Sequence, residues 1–191
     1  MLRRIFIAIN LPKEIKEDLG IFQKKYSELP AKWVKPENLH ITLVFLGYVK
    51  EKDLSKIIEI TRNVASKHHP FSMKIIKVSY GPPKIFPPRM VWVIGEKNEN
   101  LSKLQEDLKS ELGEIKIAQL DKDEKNFIPH ITLARIKQFE FRKMEMEEIP
   151  EINEDLNLSF QVNSIEIMES HLKRNGAEYI IFDSLPLSQI N

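Results

Sequence analysis

One tetrapeptide occurs twice: His40-Ile41-Thr42-Leu43 returns ninety positions later as His130-Ile131-Thr132-Leu133. The chain has only five histidines and three threonines, and the repeat takes two of each. Both copies fall in runs predicted as β-strands, residues 39–46 and 127–136, rich in Ile, Leu, Val and Phe and bounded by Pro, Asn or Gly. Successive strand side chains point to opposite faces, so each strand puts an imidazole beside a hydroxyl and buries two aliphatics behind them. Two such strands facing each other would gather two histidines and two threonines around one cleft.

Composition narrows the setting for that cleft. A chain of 191 residues, 42% hydrophobic and 30% charged, can bury a core of its own as one domain spanning 1–191, with two small halves sharing the cleft. The net charge of +1 gives no global field of the kind a long nucleic-acid tract or an anionic membrane would attract. Without cysteine there is no disulfide, thiolate zinc site or thiol nucleophile. No apolar run reaches membrane-spanning length, and the first residues lead straight into a strand, so a cytoplasmic protein is expected.

Residues 3–9 are apolar on both parities, as a central strand requires. Ile15, Leu19, Phe22 and Tyr26 mark a helix ending near Pro30, and residues 52–67 a second helix. Gly47 is expected to terminate the first His strand. Residues 71–80 read as a strand whose apolar phase changes between Ile75 and Ile76, the mark of a bulge. A Pro-rich loop leads to a buried strand over 89–94, and a helix over 99–112 presents Leu101, Leu104, Leu108 and Leu112. A polar turn at 121–126 precedes the second His strand. The acidic stretch 137–155, with Met144 and Met146 its few apolar points, is expected to be an exposed connection. Two final strands, 158–168 and 178–182, join through a hairpin-like loop. Strands alternate irregularly with helices, which predicts an α+β fold with antiparallel sheets flanked by helices, bilobed around a central cleft.

Two imidazoles suit displacement at phosphorus. One, neutral, takes a proton from water; the other, protonated, gives one to the departing oxygen. Thr42 and Thr132 can hydrogen-bond non-bridging oxygens, and a strained 2′,3′-cyclic phosphate is a natural target for so small an apparatus. A lone histidine in an apolar strand is more often structural; the repeat is what favours chemistry here. Neither His-x-Thr has a third ligand at metal spacing. His68 and His69 read as a solvated helix end, and His171 as a loop residue touching substrate or only water.

The paired His-x-Thr-Leu motifs resemble the two-histidine (2H) phosphoesterase superfamily. The first continues as Val44-Phe45-Leu46-Gly47; the second is introduced by Phe127-Ile128-Pro129 and continued by Ala134-Arg135. Within that superfamily they resemble the RNA 2′,3′-cyclic phosphodiesterases, historically called 2′-5′ RNA ligases, with further agreement at residues 4–9, at Trp33, over 81–92, and at Ser170, Leu172, Gly176 and Tyr179. The resemblance implies hydrolysis of RNA 2′,3′-cyclic phosphate ends to 2′-phosphates, with His40 as proton donor, His130 as proton acceptor and Thr42 and Thr132 on the phosphate. It implies no metal or organic cofactor, and the partner would be an RNA 3′ end, tRNA fragments included, met by a monomer. Joining of 2′,5′ ends by the reverse reaction, and binding of RNA ends without turnover, are the alternatives. The resemblance also associates Phe45 and Arg135 with the terminal nucleotide. Strict alternation puts both on the parity opposite the histidines, so they reach a nucleotide only where the strand ends or twists; the alternative for Phe45 is ordinary core packing, whereas an arginine on that parity is hard to explain structurally.

Overall fold

The computed structural model describes residues 1–115, 127–173 and 176–188; the polar turn expected at 121–126 lies outside them. Among the described residues the strands are β1 (Leu2–Asn10), β2 (Ala31–Trp33), β3 (His40–Lys50), β4 (Phe71–Gly81), β5 (Met90–Gly95), β6 (His130–Ile136), β7 (Asn153–Val162), β8 (Ser164–Lys173) and β9 (Gly176–Pro186). The helices are α1 (Lys13–Lys25), α2 (Leu54–Ala65), α3 (Glu99–Glu114) and the single turn α4 (Gln138–Phe141). All the strands join one antiparallel sheet in the order β7-β4-β5-β6-β3-β1-β8-β9, with β2 also on β6. The α+β antiparallel class expected from the sequence is therefore present.

The halves β9-β8-β1-β3 and β6-β5-β4-β7 meet through a single residue pair, Ile41 opposite Ile131. Each of these isoleucines follows its motif histidine by one position. Only Asn163 separates β7, at one edge, from β8, near the other. Adjacent Cα atoms are about 3.8 Å apart, so the sheet must curl until the end of β7 meets the start of β8.

Packing follows the periodicities. Ile5, Ile7 and Ile9 of β1 enter the large core, while Phe6 and Ala8 join Met168 in a small second cluster, so β1 is covered on both faces. The stripe Leu101, Leu104, Leu108 and Leu112 of α3 is fully buried, each leucine stabilising the fold by about 1.5–3 kcal/mol relative to an exposed one. Asn98 caps this helix by accepting the Leu101 N–H at 3.0 Å, the arrangement expected of an N-cap. The bulge predicted in the third long strand is present: β4 loses register with both neighbours between Ile75 and Lys77, and Ile76 is turned out.

Several boundaries differ from expectation. The second His strand begins at His130, after Pro129, not at 127; proline brings no N–H to a ladder. The expected strand over 158–168 is two strands, β7 and β8, which pair with β4 and β1. The segment 137–155 is not simply an exposed connection. It holds α4, buries Phe141 and Ile152, and offers the Pro150 carbonyl to the Tyr80 hydroxyl at 2.9 Å. Glu154, already in β7, accepts from Lys25 and from the Tyr26 hydroxyl at the end of α1.

Gly47 does not end β3. Its φ of 71° takes the left-handed turn of a bulge, since Ile5 pairs with Gly47 but Phe6 pairs with Phe45, and the strand runs on to Lys50. A β-carbon in that conformation costs about 1–2 kcal/mol. Gly47→Ala is accordingly expected to lower the unfolding free energy by that amount, seen as a lower urea midpoint with an unchanged m-value.

Candidate active site

A second bulge, three residues after each histidine, decides which side chains share a face. Ile7 pairs with Val44 while Ala8 pairs with Thr42, leaving Leu43 as the extra residue. Val91 pairs with Ala134 while Trp92 pairs with Thr132, leaving Leu133 as its counterpart. Leu43 and Val44 are both buried, as are Leu133 and Ala134, and the alternation restarts one residue later. Phe45 and Arg135 are thereby returned to the histidine side. The parity expected from strict alternation is overturned at both positions, and with it the core-packing reading of Phe45, which is 38% exposed.

His40, Thr42 and Phe45 line one cleft with His130, Thr132 and Arg135, a space of about 270 Å³ whose wall carries Arg4 and no carboxylate. The ring nitrogens are oriented by backbone. Nδ1 of His40 lies 2.7 Å from the Asn38 carbonyl, and Nδ1 of His130 lies 2.8 Å from the Ile128 carbonyl. In each case the carbonyl belongs to the residue two positions earlier. A carbonyl only accepts, so both Nδ1 atoms carry hydrogen and both rings titrate at Nε2. The Thr42 hydroxyl lies 3.1 Å from Nε2 of His40, and donates to it when the ring is neutral.

The supports of the two rings differ. His40 sits among Phe6 and Tyr179, with ring centroids 5.0 Å away in both cases. His130 is stacked on Trp92 at 3.8 Å. Phe45 is covered on one side by the Arg4 guanidinium, 4.9 Å from its ring centre, and Arg4 also donates to Ser170 Oγ at 3.3 Å.

The sequence matches the family described as LigT like Phosphoesterase over residues 9–92 and 94–179. The chain belongs to the LigT-like phosphoesterases. Among similar proteins is the RNA 2′,3′-cyclic phosphodiesterase of Methanocaldococcus jannaschii, 30% identical over 92% of this chain and 96% of that one. The enzyme of the same description from Aquifex aeolicus is 29% identical over 96% and 97%. Among solved structures, TT0787 of Thermus thermophilus superposes with a TM-score of 0.82 at 28% identity, over 96% and 97% of the chains. Escherichia coli LigT, solved with 3′-AMP, shares the fold at a TM-score of 0.78 and 23% identity, over 99% of this chain and all of the other.

In this LigT-like chain all six predicted site residues are thus brought to one cleft. The remaining histidines are not. His68 is only 11% exposed at its side chain and holds Asp107 of α3 through Nε2 at 3.0 Å, so it clamps α2 to α3 and is not a solvated helix end. His69 donates to the Ser188 carbonyl at 3.0 Å, and His171 lies 3.5 Å from Glu169. Among the described residues no cluster of three His, Asp or Glu side chains could hold a metal, and no helix is long and apolar enough to cross a membrane.

Asn38, Trp92 and Tyr179 were not singled out by spacing, although each fixes a histidine. Asn38 is buried; it donates to the Ala177 carbonyl at 2.8 Å and accepts the Tyr179 N–H at 3.2 Å, tying the start of β3 to β9. The signal that could have found the acceptors is the motif itself, since positions 38 and 128 each precede a motif histidine by two residues. Trp92 is placed by Gly81, where a β-carbon would lie 2.3 Å from the indole. Gly81→Ala should push the indole off His130. Its stability cost is about 1–3 kcal/mol by overpacking, and an NMR titration of the His130 ring is expected to move towards the ordinary value as burial is relieved.

Both imidazoles are held below their ordinary range. For His40 the cause is burial, only partly offset by its bond to Asn38 and reinforced by the nearby Lys16, His130 and Arg135 charges, and it titrates at about 4. Burial also lowers His130 against the opposing bond to Ile128. The unfolded chain takes up the His40 proton near about 6.5, the folded chain only near 4, so the unfolded state binds more protons between those values. Stability is complete above about pH 6.5 and declines as pH falls towards 4. For this partly exposed ring the loss is on the order of 2 kcal/mol. Urea titrations are expected to show the decline in the wild type and a shallower one in His40→Gln.

Proposed function

We propose that this chain hydrolyses RNA 2′,3′-cyclic phosphate ends to 2′-phosphomonoester ends, working as one bilobed domain whose two half-sheets flank the cleft. The observation that carries this reading is the paired presentation of Nε2. Each ring is locked through Nδ1–H, so its titrating nitrogen faces a cleft with two threonines, two arginines and no carboxylate. That is a site for an anion between an acid and a base.

His130 takes a proton from water as the water oxygen bonds to phosphorus. The bond from phosphorus to the 3′ oxygen breaks, and His40 supplies the proton that oxygen needs. The 2′ oxygen keeps the phosphate, and the proton count balances because one histidine ends protonated and the other neutral. Thr42 and Thr132 hydrogen-bond the non-bridging oxygens, where charge builds up. His40, strongly acidic when protonated, suits the donor role. The terminal base would stack on the Phe45 ring, with Arg135 reaching either base or phosphate. The nucleotide bound in the E. coli LigT structure and the activity of the M. jannaschii relative support this substrate class.

An empty cleft with two depressed histidines holds few protons at neutral pH. The substrate corrects this, since its phosphate charge favours an imidazolium beside it. In the free enzyme both rings titrate below about 6.5, so the bell of kcat/KM should be centred below that pH and the bell of kcat should lie at higher pH than that of kcat/KM. The decisive assay follows an RNA oligonucleotide ending in a 2′,3′-cyclic phosphate, in excess chelator, and resolves 2′- from 3′-phosphate product. His40→Ala and His130→Ala should each lose about 10²–10⁴ in kcat; near-wild-type hydrolysis by both, or a 3′-phosphate product, would sink the mechanism.

A further inference from the structure

Beside the cleft runs a second groove of about 430 Å³. The two share Arg4, Val34, Asn38, Arg135 and Tyr179 as lining, so they are continuous. The added wall comes from β2 and the residues just after it, Lys32, Trp33 and Lys35, and from Lys173 and Ala177 on the β8 and β9 side. Five of its lining residues are cations and none is a carboxylate. Lys173 is paired with Glu178 outside the lining, a carboxylate that Lys35 also influences.

The sheet register forces like charges together here. Lys32 stands directly opposite Arg135, because Ala31, Lys32 and Trp33 pair with Ile136, Arg135 and Ala134. Directly opposed residues project to the same side, and like charges in that position repel. Neither Lys32 nor Arg135 has an acidic partner among the described residues to relieve this. An anion lying between them would. Trp33 and Tyr179, both half-buried in this wall, add aromatic surface of the kind on which bases stack.

Resting on the proposed reaction, we infer that this groove is the path of the RNA strand upstream of the cyclic phosphate. One backbone phosphate sits between Lys32 and Arg135, and the next lies near Lys35. A 3′-terminal substrate continues in one direction only, and the groove is the cationic exit from the cleft, of a volume ordinary for a ligand site. The substrate is then an oligonucleotide, not a free cyclic mononucleotide.

The test compares wild type with Lys32→Gln/Lys35→Gln, both substitutions at exposed positions. Two substrates are used: a nucleoside 2′,3′-cyclic monophosphate and a tetranucleotide ending in a 2′,3′-cyclic phosphate. The double variant should raise KM for the tetranucleotide at least about tenfold, with kcat and the mononucleotide constants unchanged. The slope of log kcat/KM against log salt should become shallower by about 1.4, at about 0.7 per single-strand phosphate. Anisotropy binding of a tetranucleotide ending in a 2′-phosphate, which needs no turnover, should weaken in parallel. Equal kinetics for wild type on the two substrates, or equal losses on both in the double variant, would overturn the groove. If wild type hydrolyses neither substrate yet binding still depends on Lys32 and Lys35, the reaction fails and the groove stands; if binding is also unaffected, both fail.

Discussion

Everything at this site depends on how little β3 and β6 touch. A fully zipped antiparallel pair would lay the two His strands flat in one continuous sheet, and side chains on one face of a flat sheet stand parallel and do not converge. Here the ladder closes at Ile41 and Ile131 alone. Antiparallel pairing at the residue after each histidine relates the two motifs by a local twofold. The curl that brings β7 round to β8 tilts the half-sheets towards each other. The result is a concave surface with an imidazole on each wall.

The same arrangement explains the electrostatics. A concave wall removes water from both rings, and the nearest charges, Lys16 and Arg135 among them, are positive. Both effects disfavour a proton on the empty site, so it waits neutral and cationic at its rim. In the proposed reaction an entering phosphate reverses that balance, since its charge favours an imidazolium beside it. The cost is carried by the fold: buried groups that resist protonation make the native state less stable in acid, a tension common where sites are built for charge that arrives later.

Much of this was legible in the sequence, because the repeat named both histidines and both threonines and the leucine stripe of α3 named its buried face. The misplaced parity of Phe45 and Arg135 has one cause. Alternation is a rule of unbroken strands, and nothing in Leu43-Val44 or Leu133-Ala134 marks the inserted residue, since a bulge of this kind needs no glycine. Phe45 and Arg135 were therefore assigned the wrong face by a correct rule applied across an unseen break. At Gly47 the reverse happened: a glycine that looked like an end was the hinge of a strand that continues. Asn38 and Trp92 stayed hidden because their work is tertiary, through β9 in one case and the close approach of Gly81 in the other.

The twofold is accurate at the ring nitrogens of the two histidines and abandoned around them. Both rings find their acceptor at the same offset, and both strands bulge at the same position. Yet His40 leans on Phe6 and Tyr179 while His130 lies on Trp92, and the equivalent of an aromatic Phe45 is a cationic Arg135. An acid and a base are interchangeable in principle, so symmetry serves them. The proposed substrate, an RNA end, is not symmetric. In the proposed reaction, the difference between Phe45 and its equivalent Arg135 is what would give a reversible pair of histidines a direction.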